Sequence, residues 1–261
     1  MKPSGILSGQ RGIVLGVSTE NGAGYACAAA AVEQGATVAI THRPGRESVA
    51  HPLAARLGAK ALALEATDEA SVERAFDVAA KELGGLDFLV HTLVRVPEGV
   101  LSRPATALTA AEFHETMEIG VRSLLVACRF ARPHLERSAA PRVVVLSSGG
   151  GASAMPNYHA VGIAKAALEA ATRYLALELG PSGILCNVVS FSLVETDAAL
   201  RVVGAGAAEA TRRHLAKRAL TRASTTLGDV GQAAAYFASP LLRNVTAETF
   251  TVDGGFSQAY F

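Results

Sequence analysis

Gly16-Val17-Ser18-Thr19-Glu20-Asn21-Gly22-Ala23-Gly24 stands between an apolar run at residues 12–15 and an alanine-rich, helix-forming run at 23–33. Strand, glycine turn and helix in that order open a β-α-β unit, where a dinucleotide pyrophosphate can rest on a helix N-terminus. Glycine lets the main chain come close to the anion, and the first helical amides face it unpaired. A plain strand-to-helix turn also uses glycine, so the loop by itself leaves both readings open. Its place after the first strand favours the dinucleotide.

Downstream, strand-like runs alternate with longer helix-like runs to the end of the chain. The patterning predicts strands at 12–15, 37–41, 61–64, 88–92, 142–147, 184–190 and 249–252, and helices at 23–33, 71–83, 110–136, 158–179 and 230–238. Seven strands with right-handed crossovers predict an α/β, doubly wound (Rossmann) parallel sheet with helices on both faces, a single domain over residues 1–261. The chain has 261 residues, half of them hydrophobic and 18% charged, which is enough for one sizeable core.

Composition excludes several function classes. The net charge is +1 and the basic residues are scattered, which offers no field for nucleic acid or an acidic membrane. No apolar stretch reaches the roughly 20 residues of a membrane span, and the N-terminus lacks an apolar signal core, so a cytoplasmic protein is expected. Cys27, Cys128 and Cys186 are odd in number, far apart and without metal-ligand spacing. They read as free core thiols, and no metal is expected.

At the end of the second expected strand the chain reads Thr41-His42-Arg43-Pro44-Gly45-Arg46. A carboxylate here would accept from the adenosine ribose of NADH. Two guanidiniums and no acid suit a 2′-phosphate, favouring NADPH over NADH, with solvated loop arginines as the alternative.

A second stretch, Pro156-Asn157-Tyr158-His159-Ala160-Val161-Gly162-Ile163-Ala164-Lys165, carries the chemistry. Its Tyr and Lys are almost two helical turns apart and share one face, displaced by about 10 Å along the axis. A phenol and an ammonium in one cleft are the acid and the charge that hydride chemistry on a carbonyl conjugate requires. A lone pair of this kind is more often a half-buried aromatic and a solvated charge.

Together these residues resemble the short-chain dehydrogenase/reductase family, and within it the enoyl-acyl-carrier-protein reductases. The marks run over nearly the whole length. They are the wide glycine spacing from Gly16 to Gly24, Leu86-Asp87-Phe88-Leu89-Val90-His91, and Pro156-Asn157-Tyr158 with Lys165. Further along stand Arg173-Tyr174-Leu175-Ala176, Leu179-Gly180-Pro181, Gly228-Asp229-Val230-Gly231, Asn244-Val245-Thr246 and Val252-Asp253-Gly254-Gly255-Phe256. The wider family carries Tyr and Lys four apart, where this chain has Val161; the spacing of seven belongs to the enoyl-reductase branch. The resemblance implies that Tyr158 hydrogen-bonds the thioester carbonyl of a 2-enoyl substrate while hydride reaches the β-carbon, and that Lys165 holds the nicotinamide ribose. It also implies cofactor contacts from Gly16, Ser18, Gly22, Ala23, Arg43, Asp68, His91, Thr92, Leu93, Val194 and Thr196.

Departures from the family pattern fall at the chemistry. Ten residues before Tyr158, where enoyl reductases carry a second tyrosine, stands Ser148. It is also seventeen before Lys165, the spacing of the catalytic serine in carbonyl-reducing members. Its hydroxyl suits a carbonyl oxygen, or else caps the Gly149-Gly150-Gly151 turn. Phe191-Ser192-Leu193 replaces a small residue and Gly-Pro beside the nicotinamide, and Thr92-Leu93-Val94-Arg95 brings bulk into the cleft and a positive charge to its mouth. Val94, Arg95, Ser148, Tyr158 and Phe191 are therefore the expected substrate contacts. A non-standard substrate in a specialised acyl or polyketide pathway is expected.

Residues 195–222 correspond to the family's substrate-covering lid and hold Arg201, Arg212, Arg213, His214, Lys217 and Arg218. These face either the phosphopantetheine and acidic surface of an acyl carrier protein, or solvent. The family packs as a homotetramer, for which residues 110–136 and 158–179 are apolar enough. Three readings stand: an NADPH-dependent enoyl-thioester reductase, a ketone or imine reductase using Ser148 and Tyr158, and a non-redox binding protein whose pocket Phe191, Ser192 and Leu193 have closed.

Overall fold

The computed structural model describes residues 5–197, 199–200 and 205–260. Seven strands form one sheet: β1 (Arg11–Leu15), β2 (Thr37–His42), β3 (Lys60–Ala63), β4 (Phe88–His91), β5 (Arg142–Ser148), β6 (Leu185–Phe191) and β7 (Thr249–Val252). All neighbours are parallel, in the order β3-β2-β1-β4-β5-β6-β7. The winding reverses between β1 and β4, so a crevice opens beyond their carboxyl ends.

The helices are α1 (Ala23–Glu33), α2 (Glu47–Leu57), α3 (Glu69–Leu83), α4 (Ala110–Met117), α5 (Ser123–Leu135), α6 (His159–Leu179), α7 (Ala205–Arg218) and α8 (Leu227–Ala238). They cover both faces because alternate strand residues point to opposite sides and both sets are apolar. Ile13, Leu89, Val143 and Val145 pack with Phe76 of α3, Leu124 of α5 and Leu168 of α6. Val14, Val90, Val144 and Leu146 pack with Cys27 of α1, Leu53 of α2 and Val230 of α8. Burial pushes the Cys27 and Cys186 thiols up to about 12 and Cys128 in the same direction, so none is a thiolate near neutral pH.

Helix starts follow their caps. Asp68 accepts from the Ala70 amide and opens α3 at Glu69, and the Thr226 and Asp229 capping box opens α8 at Leu227, each upstream of the expected starts at 71 and 230. By contrast α1 begins at Gly22 with no side-chain cap.

Two stretches differ from expectation. The patterning predicts no helix between β2 and β3, a segment that holds Pro52. The structure forms α2 across it, since burying Ala50, Leu53 and Ala54 on one face outweighs the single main-chain bond that proline forfeits. The long helix expected at 110–136 is interrupted by a π turn over Glu118–Arg122. Gly120 in that turn faces α6, where an added Cβ would stand 3.3 Å from that of Ala164. The Ser123 hydroxyl donates back to the Ile119 carbonyl at 2.6 Å, a bond that bends helices.

Among the described residues no helix is long and apolar enough to cross a membrane, and no cluster of side chains could hold a metal ion.

Candidate active site

The glycine turn lies across the mouth of the crevice. Gly16 has φ +93°, and a Cβ there would stand 2.8 Å from Leu93 Cδ2 and 2.9 Å from Thr92 Oγ1. Only glycine fits such a place. The Thr92 hydroxyl donates to the Leu15 carbonyl at 2.7 Å. On the other side Thr41 accepts from the Gly16 amide at 3.2 Å through Oγ1 and from the Val17 amide at 2.8 Å through its carbonyl. The turn is thus tied to both neighbouring strands, while the amides of Ala23 and its successors at the uncapped start of α1 stay available to an anion. Ser18 is exposed at the rim, and Glu20 is paired with Arg56 of α2 at 2.7 Å, which offsets its charge there.

Beyond β2, Arg43 and Arg46 are exposed and neither meets a carboxylate among the described residues. Asp68 spends one oxygen on capping α3, 3.0 Å from the Ala70 amide, and its other oxygen is 3.8 Å from Arg74.

The end of β5 carries the chemical groups. Asn157, in a left-handed conformation at φ +54°, turns the chain so that the Tyr158 ring lies on Gly150, where a Cβ would overlap it. Tyr158 therefore precedes α6 instead of beginning it. The Leu146 carbonyl accepts from Lys165 Nζ at 2.7 Å, the Ser147 hydroxyl donates to the Glu169 carboxylate, and Ser148 Oγ is 3.0 Å from the Tyr158 hydroxyl. Three successive strand residues are each bonded to a side chain of α6 or its cap. Of the two uses open to Ser148, the structure shows contact with Tyr158 and no side-chain bond to the glycine turn.

Electrostatics suit proton donation. Burial raises the half-buried Tyr158 phenol and the Ser148 bond lowers it in part, so it stays protonated near neutral pH. Burial pulls Lys165 down to about 8, opposed by Glu169. His91 at the end of β4 is enclosed, and burial, followed by the charge of Lys165, pushes it down to about 3. The single hydroxyl hydrogen of Ser123 goes to Ile119, so the 2.8 Å contact makes His91 Nε2 the donor to Ser123. Its buried Nδ1 meets no partner among the described residues.

Other expected contacts are placed differently from one another. Val94 is 40% exposed at the crevice. Arg95 is paired with Glu115 of α4 at 3.2 Å, so the positive charge expected at the mouth is offset. The His91 imidazole, expected as a cofactor contact, is turned into the interior because strand alternation puts it on the α5 and α6 face with Leu89. Phe191 stands opposite Ser148 in the sheet and packs against the cluster containing Val189 and Val194. Thr196 Oγ1 accepts from the Ala199 amide at 3.0 Å.

In the segment expected as a lid, α7 pairs Arg212 and Arg213 with Glu209 at 2.6 and 3.5 Å, and Arg218 lies 5.3 Å from the centre of the Phe256 ring. Arg201 lies outside the described residues. Sequence reading missed Thr41, Glu115, Ser123, Ser147 and Glu169. Only Glu169 carried a visible signal, standing one helical turn after Lys165.

With its glycine turn after β1 and the Ser148 and Tyr158 hydroxyls together at the end of β5, the crevice is that of a short-chain dehydrogenase/reductase, an NAD(P)-dependent oxidoreductase. The enoyl-(acyl carrier protein) reductase family model matches residues 16–257, and the chain belongs to that family. It is 31% identical to an enoyl-acyl-carrier-protein reductase (NADH) of Rickettsia conorii, over 97% of this chain and 96% of the relative. It is 32% identical to one of Neisseria meningitidis serogroup B, over 97% of each. Among solved structures, the Anaplasma phagocytophilum reductase in complex with NAD has a TM-score of 0.91 at 30% identity, covering 100% of this chain and 96% of that one. The Bacillus cereus reductase with NADP+ and an indole naphthyridinone has a TM-score of 0.92 at 27% identity, covering 98% of this chain and 100% of that one.

Proposed function

We propose that this protein reduces the conjugated double bond of an enoyl thioester carried on an acyl carrier protein, with NADPH preferred to NADH. The observation that carries the reading is the Tyr158 hydroxyl, protonated and held at the end of β5 by Ser148, on the helix that bears Lys165. When bound, the nicotinamide supplies hydride to the β-carbon. Tyr158 donates a hydrogen bond to the thioester carbonyl, and that bond strengthens as negative charge grows on the oxygen. Lys165, whose ammonium donates to the Leu146 carbonyl, would hold the ribose hydroxyls of the dinucleotide and add positive potential beside the same oxygen. Val94 and Phe191 shape the acyl path, and α7 covers it.

The test is loss of NADPH absorbance with crotonyl-type thioesters, set beside β-keto thioesters and cyclic ketones. A second reading, ketone or imine reduction, draws support from the Ser148 hydroxyl on Tyr158, and preference for the keto substrates would establish it in place of the first. If calorimetry shows neither NADPH nor NADH binding, both reductase readings fall and a non-redox role on this fold replaces them.

The two relatives named above are NADH enzymes, while the Bacillus cereus structure holds NADP+. Support for NADPH here is the pair of uncommitted guanidiniums beyond β2. Arg43→Ala should raise the KM for NADPH about 10-fold and leave that for NADH unchanged. Equal effects on both would remove the 2′-phosphate assignment.

A homotetramer is supported by apolar side chains left exposed on α5 and α6, among them Leu125, Ile163, Tyr174 and Leu177. Light scattering at a single protomer mass would overturn it.

A further inference from the structure

We propose that Glu169 is a positioning residue for the reaction: its carboxylate locks the carboxyl end of β5 onto α6 and is the counter-charge of the buried Lys165 ammonium. This rests on the reductase reading of Tyr158 and Lys165.

The argument begins with strand alternation. Leu146 and Ser148 project to one side of β5 and Ser147 to the other, toward α6. Ser147 is fully enclosed and gives its one hydroxyl hydrogen to Glu169. The peptide joining Leu146 to Ser147 is thereby gripped twice by groups one helical turn apart, through its carbonyl by Lys165 and through the next side chain by Glu169. The same carboxylate also abuts the glycine turn: a Cβ on Gly151 would stand 2.7 Å from Glu169 Oε1. Gly150, next to it, supports the Tyr158 ring. One carboxylate therefore braces both flanks of Ser148, and through them the spacing between Ser148 and Tyr158.

The charge argument is separate. Lys165 lies one helical turn from Glu169 on its own helix and meets the charge-sensitive His91 from β4, which burial keeps neutral, while the Tyr158 phenol at the head of the helix stays protonated on Ser148. The π turn packed on α6 carries Glu118 and Arg122, which pair with each other at 2.6 Å. Glu169 is the carboxylate that offsets the burial of the ammonium.

The experiment records kcat/KM for a crotonyl-type thioester against pH, and in parallel the affinity for NADPH against pH by fluorescence. Glu169→Gln keeps an acceptor for Ser147 and removes the charge. Its alkaline limb should move about one pH unit lower in both measurements, because Lys165 sheds its proton earlier. Glu169→Asp should restore the limb. Ser147→Ala, which loosens the strand without altering charge, should lower kcat about 10-fold at every pH and leave the limb in place. A Glu169→Gln profile parallel to that of the unaltered protein would overturn the proposal. If the unaltered protein reduces none of the substrates, the affinity measurement still decides the role of Glu169, and only the reductase reading fails.

Discussion

Tyr158→Phe should lower turnover about 10²-fold or more while leaving dinucleotide affinity and thermal stability close to their original values. The ring that rests on Gly150 is retained, so packing at the head of α6 is preserved. What is removed is a donor that burial keeps protonated, placed 3.0 Å from Ser148. The loss is expected in kcat more than in KM, because a hydroxyl aimed at a developing enolate binds that state more strongly than the ground-state carbonyl. Near-normal turnover would move the donor role to Ser148, whose hydroxyl occupies the same neighbourhood.

Lys165→Met should cost about 10² in rate and weaken dinucleotide binding as well, and it should do so while raising thermal stability near neutral pH. Folding takes this ammonium from about 10.5 down to about 8 by burial. Between those values the unfolded chain holds the proton more firmly than the folded protein, so stability rises with pH across that window, and below it the buried charge is a standing cost. Methionine removes that cost. The melting-temperature advantage of the variant should therefore be largest below pH 8 and shrink toward pH 10. A variant that binds the dinucleotide as tightly as before would contradict the ribose-holding role, and a less stable one would contradict the burial argument. A residue that weakens the fold and is placed at the chemistry is there for the chemistry.

Much of this was readable from residues alone, and the reason is periodicity. Central strands buried on both faces read as continuous apolar runs, and the expected strands at 12–15 and 88–92 lie within one residue of β1 and β4 for this reason. The Gly16 turn was readable because a left-handed residue in close contact leaves glycine little competition. What stayed hidden depends on contacts between distant segments. Nothing local says that Pro52 lies within a helix, since the packing of Leu53 and Ala54 decides it. Nor does composition show that Arg95 is met by Glu115, or that the imidazole of His91 turns inward to Ser123. Ser148 is the intermediate case: its spacing to Tyr158 and Lys165 was visible, yet the choice between capping the glycine turn and facing the phenol required coordinates.

The widened turn between α4 and α5 has a consequence for how this protein can vary. A π turn holds one residue more than the straight path it replaces, so the segment absorbs a residue without turning the helix that follows. Deleting one residue from Glu118–Arg122 would let the helix run through as regular α-helix with α4 and α5 still in register, whereas the same deletion inside α4 or α5 would rotate one side against the other by roughly 100°. Ser123, at the start of α5, would keep its place at the imidazole of β4, and what would be lost is the seat of Gly120 against Ala164. Insertions and deletions between β4 and β5 are accordingly expected to collect in the irregular stretch before Ala110 and at the turn itself, where a chain shortened by one residue should keep its helical register and the groups at the cleft.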